Sequence, residues 1–166
     1  MEEIRVITNG NELRADGAKA FMDYINPLIE EKTFILLDSP AILEDEEKWL
    51  ENSARELDFG NVIKVLLLSG GEVCGICEAR KGRLKERNNV SFGLSVSKEH
   101  RRKGYGEKLM RAAIAEARKS MKPHRMWIDY LGGNEPARKL YEKLGFVEVA
   151  RLKAGLLQIL PLDHMP

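Results

Sequence analysis

The chain has 166 residues, 43% of them hydrophobic and 32% charged, with a formal net charge of +1. That length fits one domain, residues 1–166, around one substantial core. The near-neutral charge argues against a chain whose main work is neutralising nucleic-acid phosphates, and apolar runs such as Val65–Leu68 are too short to cross a bilayer. Met1-Glu2-Glu3 shows neither a basic nor an apolar leader, so the expected location is cytoplasmic, with no nucleic-acid or membrane partner.

Ile4 to Thr8 reads as a first strand, followed by a turn at Asn9-Gly10-Asn11. From Arg14 to Glu31 a helical stripe of Ala18, Phe21, Met22, Ile25, Leu28 and Ile29 follows, and Pro27 should kink or divide that helix. Ser39-Pro40 marks a loop before a helix over 45–57, whose acidic start suits the helix dipole without a functional reading. Val62–Ser69 and Glu72–Arg80 flank Gly70-Gly71, a hairpin signal. Cys74 and Cys77 fall in the second of these strands. A three-residue spacing there points the sulfurs to opposite faces, which suits packing rather than a redox dithiol or a zinc site. Residues 81–88 read as a solvated connection.

The stretch 89–121 reads as strand, turn and helix. Val90–Val96 alternates with period two; Leu109, Met110, Ala113, Ile114, Ala117 and Met121 recur at helical spacing. At the handover stands Arg101-Arg102-Lys103-Gly104-Tyr105-Gly106. Two glycines at a helix start let backbone amides converge, and the helix dipole and three basic side chains add positive charge. The turn reads as a pyrophosphate cradle. A Gly-x-Gly here also serves as a plain tight turn, and it matches neither a P-loop nor a dinucleotide fingerprint, because Leu109 stands where a third glycine belongs.

A second signal follows the strand 125–131 and Gly132-Gly133. In the helix from Asn134 to about Leu144, Asn134 and Tyr141 lie two turns apart on one side, about 10 Å from each other. Asn134 alone is a good N-cap and Tyr141 alone a wall residue. Ala137, Leu140 and Leu144 should face the sheet. If the strands 92–96 and 126–130 are parallel neighbours, both helices begin at the end of the sheet where ligands of open α/β sheets bind. Phe146–Leu152 and Leu156–Leu160 are the last strands, joined near Ala154-Gly155.

Arg101-x-x-Gly104-x-Gly106 resembles motif A of the GNAT superfamily of N-acetyltransferases. Asn134-x-x-Ala137-x-x-Leu140-Tyr141, with Leu144-Gly145-Phe146, resembles the same family's C-terminal half. The resemblance is close from about Phe92 to Val147. It implies an α/β (α+β) fold: a central mixed, mostly antiparallel β-sheet of six to seven strands, with a V-shaped splay between two parallel strands, flanked by about four helices. It further implies acetyl-CoA in that cleft, with main-chain groups of Leu94, Ser95 and Val96 along the pantetheine and amides of Arg101, Arg102, Lys103, Gly104, Tyr105 and Gly106 on the pyrophosphate. Asn134 would bond the pantetheine or the cofactor's outer part, and Tyr141 would stand near the sulfur as the acid. The implied reaction moves an acetyl group onto a primary amine of a small molecule, polyamine or protein, without a metal.

One role stays open. The strand before motif A offers no carboxylate as base, which leaves Glu78, Asp129 or a water chain. His100 and His124 are expected at the surface, without a role. A non-catalytic acyl-CoA-binding or regulatory domain on the same scaffold is the alternative, and a nucleic-acid module using Lys98 and Arg101 to Lys103 a third reading. The resemblance also allows a homodimer.

Overall fold

The computed structural model describes residues 1–151 and the backbone of the strand 156–160. Its centre is β2 (Val62–Ser69), seven of whose eight residues are buried. An apolar, β-branched run of that kind is stable only with neighbours on both edges and cover on both faces. β1 (Glu2–Ile7) pairs with it on one edge and β3 (Glu72–Lys81) on the other, both antiparallel. β4 (Asn89–Val96) continues the antiparallel run. β5 (Arg125–Tyr130) then pairs with β4 in parallel. β6 (Val147–Arg151) and β7 (Leu156–Leu160) complete a seven-stranded sheet in the order β1-β2-β3-β4-β5-β7-β6. The turn expected near Ala154-Gly155 lies outside the described residues.

Helices cover both faces. On one, α4 (Tyr105–Met121) buries Leu109, Met110, Ala113, Ile114 and Ala117 against Ile63, Val65, Leu67 and Phe92. Each large apolar side chain buried this way contributes about 1.5–3 kcal/mol. α5 (Glu135–Lys143) adds Tyr141 to that core, with Ala137, Leu140 and Leu144 packed against it as the sequence pattern predicts. On the other face α1 (Gly10–Asp16), α2 (Ala18–Glu30) and α3 (Leu43–Asp58) enclose Leu13, Phe21, Tyr24, Leu28, Leu50, Leu57 and Leu66.

Three local expectations change. The predicted turn at residues 9–11 is a helix start: the Asn9 side chain accepts the Glu12 amide at 3.1 Å. Gly10 is needed because a Cβ there would stand 2.6 Å from the Ala54 carbonyl, so α1 lies directly on α3. The first long helix divides at Gly17 (φ 78°), not at Pro27, and α2 runs through the proline. Asp23, whose carbonyl loses a donor, is exposed and can turn to water.

The third change concerns the cysteines. Leu67 pairs with Gly75 but Leu68 pairs with Val73, so β3 carries one extra residue, Cys74. A bulge shifts the alternation by one. Cys74 and Cys77 therefore join the same core beneath α4. Burial pushes both thiols up from their ordinary pKa, against a reactive thiolate.

Candidate active site

Pairing between β4 and β5 ends at Phe92 and Ile128. Beyond it β4 runs on through Gly93, Leu94, Ser95 and Val96, and β5 through Asp129 and Tyr130, without joining. The parallel strands open into a V. Backbone groups left without a ladder need another partner, and an extended ligand arm can supply one.

The turn after β4 is held by side chains. A 3-10 turn, Lys98–His100, is braced by Ser97 Oγ and His100 Nδ1, 2.8 Å apart; His100 is thus half-buried rather than on the surface. The Arg101 amide donates to the Lys98 carbonyl at 3.3 Å. Its guanidinium turns away from the turn, donating to the Val96 carbonyl at 2.9 Å and to both Glu31 oxygens at 2.7 and 2.8 Å. Arg101 is a strut between β4 and α2, and one of the Val96 groups expected to face an arm is already taken.

Past Arg101 the amides are open. Arg102 (φ 61°) and Gly104 (φ 81°) are left-handed, and no side chain caps α4. The first helical bond is the Lys108 amide on the Gly104 carbonyl, 3.2 Å. Arg102 and Lys103 are exposed above this turn, and a Cβ on Gly104 would meet nothing within 4 Å. Unclaimed amides at a helix start, with space above them, form an anion site. Tyr105 is half-buried and packs toward the core, with Lys108 Nζ 5.4 Å from its ring. Gly106 lets α4 approach its neighbours: a Cβ would stand 3.3 Å from Leu140 and 3.6 Å from Leu94.

Two cavities meet at the V. One, of about 220 Å³, runs along Leu94, Ser95, Val96, Arg101 and Asn134 toward the turn. The other, of about 470 Å³, is lined by Leu94, Ser95, Asn134 and Tyr141 as well, and extends under α2 and α3. Asn134 Oδ1 caps α5 by accepting the Ala137 amide at 3.3 Å, which leaves its amide nitrogen to donate. Tyr141 is buried, 5.3 Å from the Tyr130 ring and 6.0 Å from Phe146; burial pushes its hydroxyl up from its ordinary pKa. The Tyr130 hydroxyl, also on the cavity, is buried with no hydrogen-bond partner among the described residues.

The larger cavity also contains residues that the sequence did not single out. Tyr24 of α2 reaches Ser95 Oγ at 2.8 Å. Lys64, the one charged residue in β2, is 1% exposed; it pairs with Glu78 and lies 4.7 Å from the Trp49 ring. Burial alone would raise the Glu78 carboxyl, but the Lys64 and Arg80 cations outweigh it and hold it below the usual carboxylate range. Glu78 and Asp129, the two carboxylates weighed as bases, both line this cavity.

The profile of the Acetyltransferase (GNAT) family matches residues 28–146. The chain belongs to that family. No curated protein sequence matches it significantly. Among solved structures, a putative acetyltransferase from Salmonella typhimurium, determined with its cofactor acetyl-CoA, has a TM-score of 0.78 at 21% identity, covering 100% of this chain and 96% of its own. A ribosomal-protein-alanine N-acetyltransferase from Brucella melitensis gives 0.76 at 22%, covering 95% and 98%. A putative acetyltransferase from Acinetobacter baylyi gives 0.80 at 18%, covering 98% and 95%. At these identities the likeness establishes the fold.

The GNAT fold is thus present with its splayed parallel pair, and the cofactor of the family is acetyl-CoA. The residues here fit such a cofactor: the open amides after Arg101 suit a diphosphate and the smaller cavity suits an extended arm. No helix among the described residues is long and apolar enough to cross a membrane.

Proposed function

We propose that this acetyltransferase is an N-acetyltransferase, moving the acetyl group of acetyl-CoA directly to a primary amine, and that residues 1–166 act as one domain. The observation that carries the reading is the junction of two cavities at the V, one running along Leu94, Ser95 and Val96 to Arg101, where the turn begins, and one reaching Tyr141 and the Lys64–Glu78 pair. Acetyl-CoA, when bound, supplies an activated thioester.

The chain's own groups do the rest. Amides of Arg102 to Gly106 hold the diphosphate, and Arg102 and Lys103 add charge from solvent. Leu94, Ser95 and Val96 line the arm through their backbone, while Arg101 keeps that strand end in place. Asn134 donates to the arm from the cap of α5. Tyr141, whose hydroxyl stays protonated in its buried setting, donates a proton to the departing thiolate. A backbone amide at the V, fixed before reaction, meets the growing negative charge on the carbonyl oxygen.

The acceptor amine is that of a small molecule, a polyamine or a protein; the Brucella relative is named a ribosomal-protein-alanine N-acetyltransferase. The test follows free thiol released from acetyl-CoA over a panel of amines, with mass spectrometry of the products. Amide products are expected; tight acetyl-CoA binding with no product from any amine would favour a non-catalytic sensor.

A further inference from the structure

The register of the sheet sets four residues in one row across the acceptor side. Lys64 pairs with Glu78, Glu78 pairs with Gly93, and Asp129 follows the last β4–β5 pair, Phe92 and Ile128. Phe92 and Ile128 face α4, so by alternation Gly93 and Asp129 face α2 and α3, the side of Lys64 and Glu78. All four line the larger cavity.

Charges along the row are unequal in their freedom. Glu78 is committed: one oxygen pairs with Lys64, and the other accepts Arg80 Nε at 2.7 Å. Arg80 in turn lies 3.8 Å from Glu56. Asp129 has no ion pair and no side-chain hydrogen bond among the described residues. Between the two carboxylates is Gly93, where a Cβ would meet nothing within 4 Å. Two strand steps separate their backbones, at least about 10 Å because β4 and β5 have begun to part here, with open floor between. Around it the wall is apolar and aromatic: Phe34, Ile35, Trp49 and Leu131. A volume of about 470 Å³ lies in the range of small-ligand pockets, roughly 300–1,000 Å³.

We infer that the acceptor is a small primary amine with a single positive charge and an apolar or aromatic body, received above Gly93 by Asp129 as the base. This rests on the N-acetyltransferase reading above. One free carboxylate matches one ammonium; a polyamine would leave further cations against apolar walls, and an amino acid would bring its carboxylate to Glu78 and Asp129. Asp129 takes one proton from the ammonium and passes it to solvent. The freed lone pair forms the C–N bond as the C–S bond breaks. The second proton shed by the nitrogen restores the one Tyr141 gives the thiolate, so amide, free thiol and one released proton balance the equation.

The test compares 2-phenylethylamine and isopentylamine with spermidine, glycine and an alanine-ended peptide as acceptors. The two apolar monoamines should exceed the rest in kcat/KM by at least about tenfold, a difference that pocket contacts can supply. Asp129→Asn should lower kcat/KM for them by about 100-fold or more, with acetyl-CoA affinity by calorimetry unchanged, and Asp129→Glu should restore part of it. Gly93→Val should raise KM for the amine and leave acetyl-CoA binding intact. Preference for spermidine, glycine or the peptide, or an unchanged Asp129→Asn enzyme, overturns this inference and leaves N-acetylation standing. Acetyl-CoA binding with no acetylation of any amine overturns the parent reading.

Discussion

The two faces of the sheet build their halves of the cleft in different ways. On the α4 side, the cleft is shaped by the backbone: a left-handed Gly104, uncapped amides at a helix start and a strand that outruns its partner. On the α2–α3 side it is assembled from side chains on separate elements, with Tyr24, Trp49, Lys64, Glu78 and Asp129 coming from α2, α3, β2, β3 and β5. Backbone recognition needs particular residues at fixed spacing within one segment. Side-chain recognition needs only that the fold bring distant positions together. The first half should therefore fail sharply at single positions, and the second by degrees.

The sharpest break of the comparison is Gly104→Glu. A carboxylate would enter the space above the open amides, so acetyl-CoA affinity should fall beyond measurement by calorimetry while the far-ultraviolet spectrum stays native. Gly104→Ala is the control for the left-handed backbone, with a strain of about 1–2 kcal/mol and no added charge. Equal loss in the two variants would assign the effect to strain.

Next in size, Lys64→Met should cost about 1.5–3 kcal/mol of stability, because the half-buried Glu78 loses one of its two cationic partners and keeps only Arg80. Lys64→Met with Glu78→Leu should recover much of that in thermal unfolding. Full stability in the single variant would mean that the pair does not hold the acceptor side together. The same pair sets a pH dependence. Glu78 has a lowered pKa when folded, so its stabilisation is present above the ordinary carboxylate range and is lost as pH falls through the folded value. Between about pH 5 and 3 the native protein should lose stability faster than Glu78→Gln does.

Tyr141→Phe should reduce kcat by about 10²–10⁴-fold and leave acetyl-CoA affinity within a few-fold. Its hydroxyl is pushed up by burial, so any alkaline decline of kcat below about pH 9 belongs to another group and should persist in Tyr141→Phe. The smallest effect is expected at Arg101→Ala. This partly exposed pair with Glu31 contributes at most about 1 kcal/mol. Acetyl-CoA affinity should change little, because the guanidinium faces α2; a loss as large as that of Gly104→Glu would return Arg101 to the diphosphate.

Legibility in the sequence followed the same division. The β4–turn–α4 unit and α5 were readable because their periodicity, glycines and cap lie within short windows. The splay was implied only by family resemblance, since nothing in residues 93–96 says that pairing stops at Phe92. Arg101 looked like a phosphate ligand from its place in the motif, and only Glu31, 70 residues away, shows where its charge goes. The bulge at Cys74 was invisible because an extra residue has no local signature without its partner strand. Lys64 did leave a mark: a lysine in the middle of an apolar strand is costly to bury without a carboxylate opposite.

The most direct measurement is a crystal structure of the protein with acetyl-CoA. The diphosphate should lie on the amides of residues 102–106, the pantetheine along Leu94 to Val96, and the thioester within reach of the Tyr141 hydroxyl. A cofactor bound anywhere else, or a thioester on the far side of the sheet from Tyr141, would contradict this account of the cleft.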